Sequence, residues 1–236
     1  MLLQELILED EVTKADNHIA PEVRHATISL LERLKKEFGK KHGFIFVLGY
    51  DPTDTSYEIT KGDFHANDEF VSPMKDDHID ELTDRINVRD GIAYQILQEI
   101  THIDDDGAVL IDKDGYLLHN GYSLEVSPKS VLAEMKIPNH RTLGQRYGFS
   151  RNVGRRHNSA IAASYKLPNT EIYTLSEESE DIRGYYRTLI FCSPYEQELT
   201  DSRYGRPKEI LDSIATRLPK QSRESVCFFE ECLTTS

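Results

Sequence analysis

Residues 21–48 read PEVRHATISLLERLKKEFGKKHGFIFVL, and the two ends of this stretch carry different apolar patterns. From Val23 to Phe38 the apolar residues recur at intervals of three and four, the spacing of one helix face, with Pro21 suited to the first turn and Gly39 to the end. The run from Phe44 to Leu48 is uninterrupted and apolar, which is typical of a central strand covered on both faces. A helix that leads into a buried strand predicts an α/β domain.

Downstream of that strand the pattern predicts a second helix and a hairpin. Asp90 is suited to cap a helix whose apolar face runs from Ala93 to Ile100. The apolar runs Val109 to Ile111 and Tyr116 to Leu118 flank a turn that ends in Gly115, as in a hairpin. The aspartates of this turn also suit a calcium loop, but the remaining ligands and the closing Glu are lacking, so the hairpin is favoured.

The remaining segments are predicted from their composition and apolar pattern. Residues 51–75 are polar and rich in turn residues, so we expect loops there with one or two short strands. Glu171 to Leu175 and Tyr185 to Phe191 are each predicted to be one strand, and Pro207 is predicted to open a last amphipathic helix. The predicted organisation is an N-terminal extension over residues 1–20, the α/β domain over residues 21–200 and a helical tail over residues 201–236.

The composition limits the partners of this protein. The 236 residues include 28 Lys and Arg against 41 Asp and Glu, a formal net charge of −13, which repels polyanions and argues against nucleic acid or an anionic membrane as partner. The N-terminus lacks the basic start of a secretion signal, and no apolar stretch approaches the roughly 20 residues of a membrane helix. The 3 cysteines are odd in number and lie late in the sequence, which fits reduced thiols better than a disulfide framework. We therefore expect a cytoplasmic protein.

One stretch of this acidic chain is basic. Residues 141–166 contain five arginines and one lysine but no Asp or Glu, with a loop bracketed by Gly148 and Gly154. The small residues from Ala160 to Ala163 begin a helix that can pack close to a sheet, so the arginines fall at a helix N-terminus. Such a terminus presents unpaired N–H groups and a partial positive charge to phosphate oxygens. The alternative is that these cations only decorate the surface and pair with the many carboxylates.

Two acidic sites accompany the basic stretch. Asp106 stands at the start of a predicted strand, where a carboxylate can hold a divalent cation or accept a proton from a hydroxyl nucleophile, although a turn filled by solvated acids is the alternative. Residues 176–178, Ser-Glu-Glu, follow a later strand. Two acids and a cationic helix start are what metal-assisted phosphoryl or nucleotidyl transfer requires. The chain has neither the phosphate loop of P-loop proteins nor the Gly-x-Gly-x-x-Gly fingerprint.

Three motifs in this order resemble those of the diadenylate cyclase domain family, the family of the DisA N-terminal domain. The family has an Asp-Gly-Ala motif, an Arg-His-x-x-Ala motif preceded by Gly, and a Ser-Glu pair on the next strand. The matching residues here are Asp106-Gly107-Ala108, Gly154-Arg155-Arg156-His157-Asn158-Ser159-Ala160 and Ser176-Glu177-Glu178. The resemblance covers residues 106–178, and the helix and strand upstream fit the family's opening. It implies an α/β domain with a central mixed, twisted β-sheet surrounded by helices.

The resemblance also implies a reaction, the condensation of two ATP into cyclic di-AMP with release of two pyrophosphates, assisted by Mn²⁺ or Mg²⁺. Asp106 would be the catalytic residue, holding the metal and orienting or deprotonating the ribose 3′-hydroxyl, and Glu177 would be a second metal contact. Tyr122 would flank the adenine. The implied nucleotide-binding residues are Gly107, Ala108, Tyr122, Arg155, Arg156, His157, Asn158, Ser176 and Glu177.

Two positions depart from the family pattern, which often has Thr before Arg-His and a further Arg after it. Here these positions are Arg155 and Asn158. A nucleotide or cyclic-dinucleotide sensor with weak or no catalysis is therefore the alternative, and a scaffold that docks an acidic protein on the basic stretch is a third. For a cyclase, one site with one ATP cannot join two AMP units symmetrically, so we expect a homodimer of facing protomers or a higher homo-oligomer.

Overall fold

A computed structural model describes residues 19–39, 42–53, 71–73, 85–102, 107–137, 141–167 and 169–202. Its helices are α1 (Pro21–Phe38), α2 (Gly91–His102), α3 (Pro128–Glu134), α4 (Leu143–Tyr147), α5 (Arg155–Lys166) and α6 (Glu196–Asp201). Its strands are β1 (Phe44–Leu48), β2 (Val71–Pro73), β3 (Ala108–Ile111), β4 (Leu117–Leu124), β5 (Glu171–Leu175), β6 (Ile182–Tyr186) and β7 (Leu189–Cys192). The strands form one mixed sheet with helices around it, which confirms the predicted α/β class.

The sheet has the strand order β2-β4-β3-β1-β5-β6-β7. β1 runs parallel to β3 and antiparallel to β5, with Ile45 opposite Ala108 and Phe44 opposite Leu175. Ala108 is also opposite Tyr122 of β4. The first residues of β1 and β3 therefore lie at the same end of the sheet as the last residue of β5, although their segments are far apart in the sequence.

Both faces of the sheet are buried, as the continuous apolar run of β1 predicts. Phe46 and Leu48 pack with α1 and α2 on one face, whereas Val47 packs with α3, α4 and α5 on the other. Successive side chains of a strand point to opposite faces, so a central strand with helices on both sides must be apolar throughout. The sheet face on which α5 packs is the one that carries the residues of the candidate site.

A buried ion pair joins α1 to the sheet. Nε of Arg24 donates to both carboxylate oxygens of Glu171, at 2.6 and 2.9 Å, and the hydroxyl of Tyr173 donates to the same carboxylate at 2.7 Å. Burial by itself lowers the pKa of Arg24, but the charge and hydrogen bond of Glu171, together with contributions from Tyr173 and Tyr186, outweigh it and the pKa is raised. The periodicity of α1 places Arg24 at a helix position without predicting this partner, 147 residues away.

Two local predictions need correction. The single strand predicted from Tyr185 to Phe191 is wrong, because β6 and β7 form a hairpin there. Arg187 and Thr188 at the turn have φ values of 47° and 65°, and two successive left-handed residues reverse the chain tightly. The second strand of the predicted hairpin extends beyond Leu118 to Leu124, so Tyr122, expected just past the hairpin, lies within β4.

Three short helices, α3, α4 and α6, were not predicted from the sequence. The hydroxyl of Ser127 caps α3, and Thr142 and Gln145 form a reciprocal capping box at the start of α4. This pattern of Thr followed three residues later by Gln is a recognisable start signal. The predicted helix from Pro207, nearly all of both terminal segments and most of residues 51–75 lie outside the described residues. In the described part of the chain, no helix has the length and apolar character needed to cross a membrane.

Candidate functional site

A cavity of about 460 Å³ lies at the sheet end where β1, β3 and β5 meet. Its wall includes residues 122–124 of β4, residues 151–157 before and within α5, and residues 176–179 after β5. Ile45 and Ala108 line it as well. A volume of this size is within the range of small-molecule sites, roughly 300 to 1,000 Å³. Segments as far apart in the sequence as Ile45 and Arg183 thus contribute to one concave surface.

The N-terminus of α5 forms one wall. Gly154 is the N-cap, without a side-chain cap hydrogen bond, and the first turn contains no acidic residue. The helix begins here because the backbone of Gly154 is extended and the N–H of Asn158 donates to its carbonyl at 3.3 Å. The first N–H groups of a helix lack intrahelical acceptors, so this wall carries the positive end of the helix dipole. Of the five arginines, Arg155 and Arg156 lie in the first turn of this helix, which begins five residues before the predicted start at Ala160.

Arg156 projects from this wall across the end of the sheet. A Cβ added at Gly43 would collide with its guanidinium, so the glycine before β1 makes room for this side chain. Nη1 of Arg156 lies 3.5 Å from the Glu177 carboxylate, which is half exposed. Arg155, its neighbour, is exposed. Gly43 was absent from the sequence-based site, because its partner becomes a neighbour only when the sheet forms.

His157 is buried in the same wall, at 5% exposure. Its Nδ1 lies 2.6 Å from the Tyr185 hydroxyl and 2.8 Å from the Thr174 hydroxyl. Burial, with smaller contributions from the positive charges of Arg183 and Arg156, lowers the pKa of His157 to about 3. His157 is therefore uncharged near neutral pH and offers hydrogen bonds, not a cation, to an anion in the cavity.

Arg183 of β6 is a cavity residue that sequence reasoning missed. Its Nε and Nη2 donate to Glu198 of α6 at 2.7 and 3.2 Å, and its Nη2 lies 3.4 Å from Asp181. Burial by itself would raise the pKa of Glu198, but hydrogen bonds from Arg183 and Ser193 outweigh it and lower the pKa. An arginine within an apolar strand was the available signal, since a buried charge requires a partner.

The structure brings most of the predicted nucleotide-binding residues together. Tyr122 is half-buried in β4, and Ala108 is fully buried beneath the cavity. The hydroxyl oxygen of Ser176 accepts from the N–H groups of Glu178 and Ser179, both at 3.3 Å, and so shapes the turn after β5. The predicted residues that line the cavity are Ala108, Tyr122, Arg155, Arg156, His157, Ser176 and Glu177.

Two predicted residues do not line the cavity, and a third is not among the described residues. A Cβ at Gly107 would collide with the backbone of Gly121, so this glycine serves the close approach of β3 and β4 and does not line the cavity. The side-chain amide of Asn158 donates to the carbonyls of Val153 and Gly154, at 3.2 and 3.1 Å, and Asn158 is not a lining residue either. Asp106 lies outside the described residues. Its catalytic role, and the roles of Gly107 and Asn158, stay predictions.

The described residues do not by themselves fit a divalent metal. Among them, no three His, Cys, Asp or Glu side chains are grouped as metal ligands would be. The two cavity carboxylates nearest to arginines, Glu177 and Asp181, each form an ion pair, with Arg156 and Arg183 respectively. Oxygen ligands that are paired with guanidinium groups are poor partners for Mn²⁺ or Mg²⁺.

Comparisons with known proteins give fold likenesses only. No family model matches the chain, and no curated protein does. One similar structure is the hypothetical membrane spanning protein from Bacillus cereus, with a TM-score of 0.44 and 16% identity over 72% of this chain, which spans 62% of that protein. A double mutant of DacA from Staphylococcus aureus has a TM-score of 0.43 and 13% identity, covering 76% of this chain and 91% of that one. At these TM-scores neither likeness bears on what the chain does.

Proposed function

We propose that the cavity binds ATP and that the chain is a diadenylate cyclase, which condenses two ATP into cyclic di-AMP and releases two pyrophosphates. The observation that carries this proposal is the convergence of the motifs. Ala108, residues 154–157 and residues 176–177 were matched to the family separately along the sequence, and all of them line one cavity of about 460 Å³. A chance resemblance gives no reason for such segments to meet.

The triphosphate would lie at the N-terminus of α5. Of the described lining residues, four are arginines and three are carboxylates, within a chain of net charge −13. Arg155 is exposed, so it can turn toward a ligand at small cost, whereas Arg151, also exposed, stacks on the ring of Tyr195 at 4.5 Å. Guanidinium groups bind phosphate oxygens through charge-assisted, often bidentate hydrogen bonds, and the helix dipole adds to them. This wall supports recognition of a polyphosphate.

The nucleoside would lie against β4 and β1. The half-buried ring of Tyr122 and the apolar side chains of Ile45 and Leu124 line this part of the cavity. An aromatic ring offers a base a stacking surface. Ser123, on the same strand, supplies a hydroxyl for hydrogen bonding. The cavity thus has one cationic wall and one with aromatic and apolar character, as a nucleotide requires.

In the proposed reaction, Asp106 accepts the proton of a ribose 3′-hydroxyl. The 3′-oxygen forms a bond to the α-phosphorus of the facing nucleotide, the bond from that phosphorus to the bridging oxygen breaks, and pyrophosphate leaves. A second, equivalent step closes the ring, so two protomers face each other. Asp106 precedes Ala108, a lining residue, by two positions. A divalent cation stays an expectation of the resemblance, and no step is assigned to it.

The first experiment is incubation of the full chain with ATP and either Mn²⁺ or Mg²⁺, followed by mass analysis for cyclic di-AMP and pyrophosphate. We expect product, and we expect Asp106→Asn to abolish it while ATP still binds. Arg155→Ala should weaken ATP binding about three- to tenfold and leave adenosine binding unchanged, because the lost contact is to phosphate. Arg141→Ala, an exposed arginine outside this cavity, is the matched control.

A sensor that binds a nucleotide or cyclic dinucleotide without turnover is the second candidate. The ion pair between Glu177 and Arg156 favours it, because a carboxylate held by a guanidinium is less available to a metal. ATP binding with no product under either metal would establish the sensor. Absence of both ATP and cyclic di-AMP binding would refute both candidates.

A further inference from the structure

His157 is held by two buried hydroxyl groups on neighbouring strands. The Tyr185 oxygen lies 2.6 Å from Nδ1, the Thr174 oxygen lies 2.8 Å from Nδ1, and the two oxygens are 3.2 Å apart. Both hydroxyl residues are fully buried. Their spacing is that of a hydrogen-bonded set, in which one nitrogen and two O–H groups must share their protons.

Packing fixes the plane of the imidazole ring. The ring of Phe149 lies 6.1 Å from that of His157, and Phe149 and Tyr185 are in edge contact at 6.2 Å. A half-turn of the imidazole about its bond to Cβ would place carbon, not nitrogen, beside the two hydroxyls and lose both contacts. Because Nδ1 is occupied by the two hydroxyls, Nε2 is the ring nitrogen left for the cavity that His157 lines.

Donor strength decides where the protons lie. A phenol is more acidic than an aliphatic hydroxyl, so at 2.6 Å the Tyr185 hydroxyl is the better donor to Nδ1. Thr174 then donates to the Tyr185 oxygen, and successive hydrogen bonds of this kind polarise one another. A neutral imidazole that accepts at Nδ1 carries its proton on Nε2.

We propose that the chain of hydrogen bonds from Thr174 through Tyr185 holds His157 in the tautomer protonated on Nε2, so that His157 donates into the cavity to a phosphate oxygen of the bound nucleotide. Tyr185 and Thr174 are then positioning residues, and only His157 touches the ligand. The ligand part of this inference rests on the proposed binding of ATP, whereas the tautomer does not. His157 is then a fixed, directional donor beside the exposed charge of Arg155.

The test compares Tyr185→Phe with Tyr173→Phe in the full chain. Both tyrosines are buried and both hydroxyls are hydrogen-bonded, but Tyr173 bonds to Glu171 on the opposite face of the sheet. We expect Tyr185→Phe to weaken ATP binding about three- to tenfold, the contribution of one hydrogen bond. Tyr173→Phe should leave ATP binding unchanged, and it should lower the melting temperature about as much as Tyr185→Phe does.

Nitrogen chemical shifts of ¹⁵N-labelled histidine give a second readout that needs no nucleotide. His157→Asn identifies the signals of His157 by their loss. We expect the wild-type signals to show a proton on Nε2 and an unprotonated, hydrogen-bonded Nδ1, and we expect Tyr185→Phe to shift them. A proton on Nδ1, or equal weakening of ATP binding by both tyrosine variants, would overturn the proposal. A wild-type chain that binds no ATP would refute the proposed function, while the shifts would still decide the tautomer.

Discussion

Acidification from pH 7 to pH 5 should cost the folded protein about 2 kcal/mol through His157 alone. The imidazole is buried against the Tyr185 and Thr174 hydroxyls, and the charged groups that face it include Arg183, Arg156 and Asp181. Burial, reinforced by the two arginines, lowers its pKa to about 3. The unfolded chain has no such environment, so there the imidazole titrates near its ordinary value of 6.5.

The sign follows from which state binds the proton. Between pH 6.5 and pH 3 the unfolded chain takes up a proton on this histidine and the folded chain does not, so acid favours unfolding. The contribution of His157 is complete above pH 6.5 and is lost progressively as the pH falls toward 3. Each pH unit within that window is worth about 1.4 kcal/mol, and pH 5 lies about one and a half units below 6.5.

The assay is urea denaturation of the wild type and of His157→Asn at several values between pH 7.5 and pH 5. The Asn amide reaches the position of Nδ1, so it keeps a partner for Tyr185 and does not titrate. The difference in unfolding free energy between the two proteins cancels the titration of all other groups. We expect this difference to change by about 2 kcal/mol over the range, with the wild type losing more.

A difference that stays constant with pH would refute the reasoning, since it would mean that His157 titrates alike in the folded and unfolded chains. A difference of opposite sign would mean that the folded protein holds a charged imidazole. In that case His157 would add a positive charge to the N-terminal wall of α5, and the proposed neutral tautomer would be wrong.

Three other perturbations test the fold around the site. Arg24→Met should lower the unfolding free energy by about 3 to 5 kcal/mol, because it leaves Glu171 buried without its cation, and the double variant Arg24→Met with Glu171→Leu should recover most of that loss in urea denaturation. Gly107→Ala should lower the melting temperature, since its Cβ meets the backbone of β4 and overpacking costs about 1 to 3 kcal/mol, whereas Gly91→Ala, with open space around it, should not. Glu198→Ala should reduce stability by about 3 to 5 kcal/mol in the same assay, because the buried guanidinium of Arg183 loses the nearer of its two carboxylate partners; a loss below 1 kcal/mol would show that Asp181 or solvent replaces it.

Local pattern was sufficient for the elements that build the core. The spacing of apolar residues in α1 and the run in β1 predicted both elements, because burial of one face of a helix and of both faces of a strand leaves a direct trace in residue order. The hairpin of β6 and β7 was missed, since Arg187 and Thr188 adopt left-handed conformations that neither residue type announces. The apolar patterns of α1 and β1 are local in the sequence, so they were predictable, whereas the residue types at the hairpin turn do not reveal its backbone conformation.

The sequence by itself predicted which residues would carry the chemistry: the basic stretch without acids, the acid before Gly107 and the Ser-Glu pair after β5. Only the tertiary structure decided how they are used. β1 pairs in parallel with β3 and antiparallel with β5. These pairings bring the Asp-Gly-Ala motif, which ends at Ala108, to the same end of the sheet as the Ser-Glu motif, which starts at Ser176. Burial then makes His157 neutral, and strand register gives it Tyr185 and Thr174 as partners. Charge state and hydrogen-bond partners depend on neighbours far apart in the chain, so residue order alone does not encode them locally.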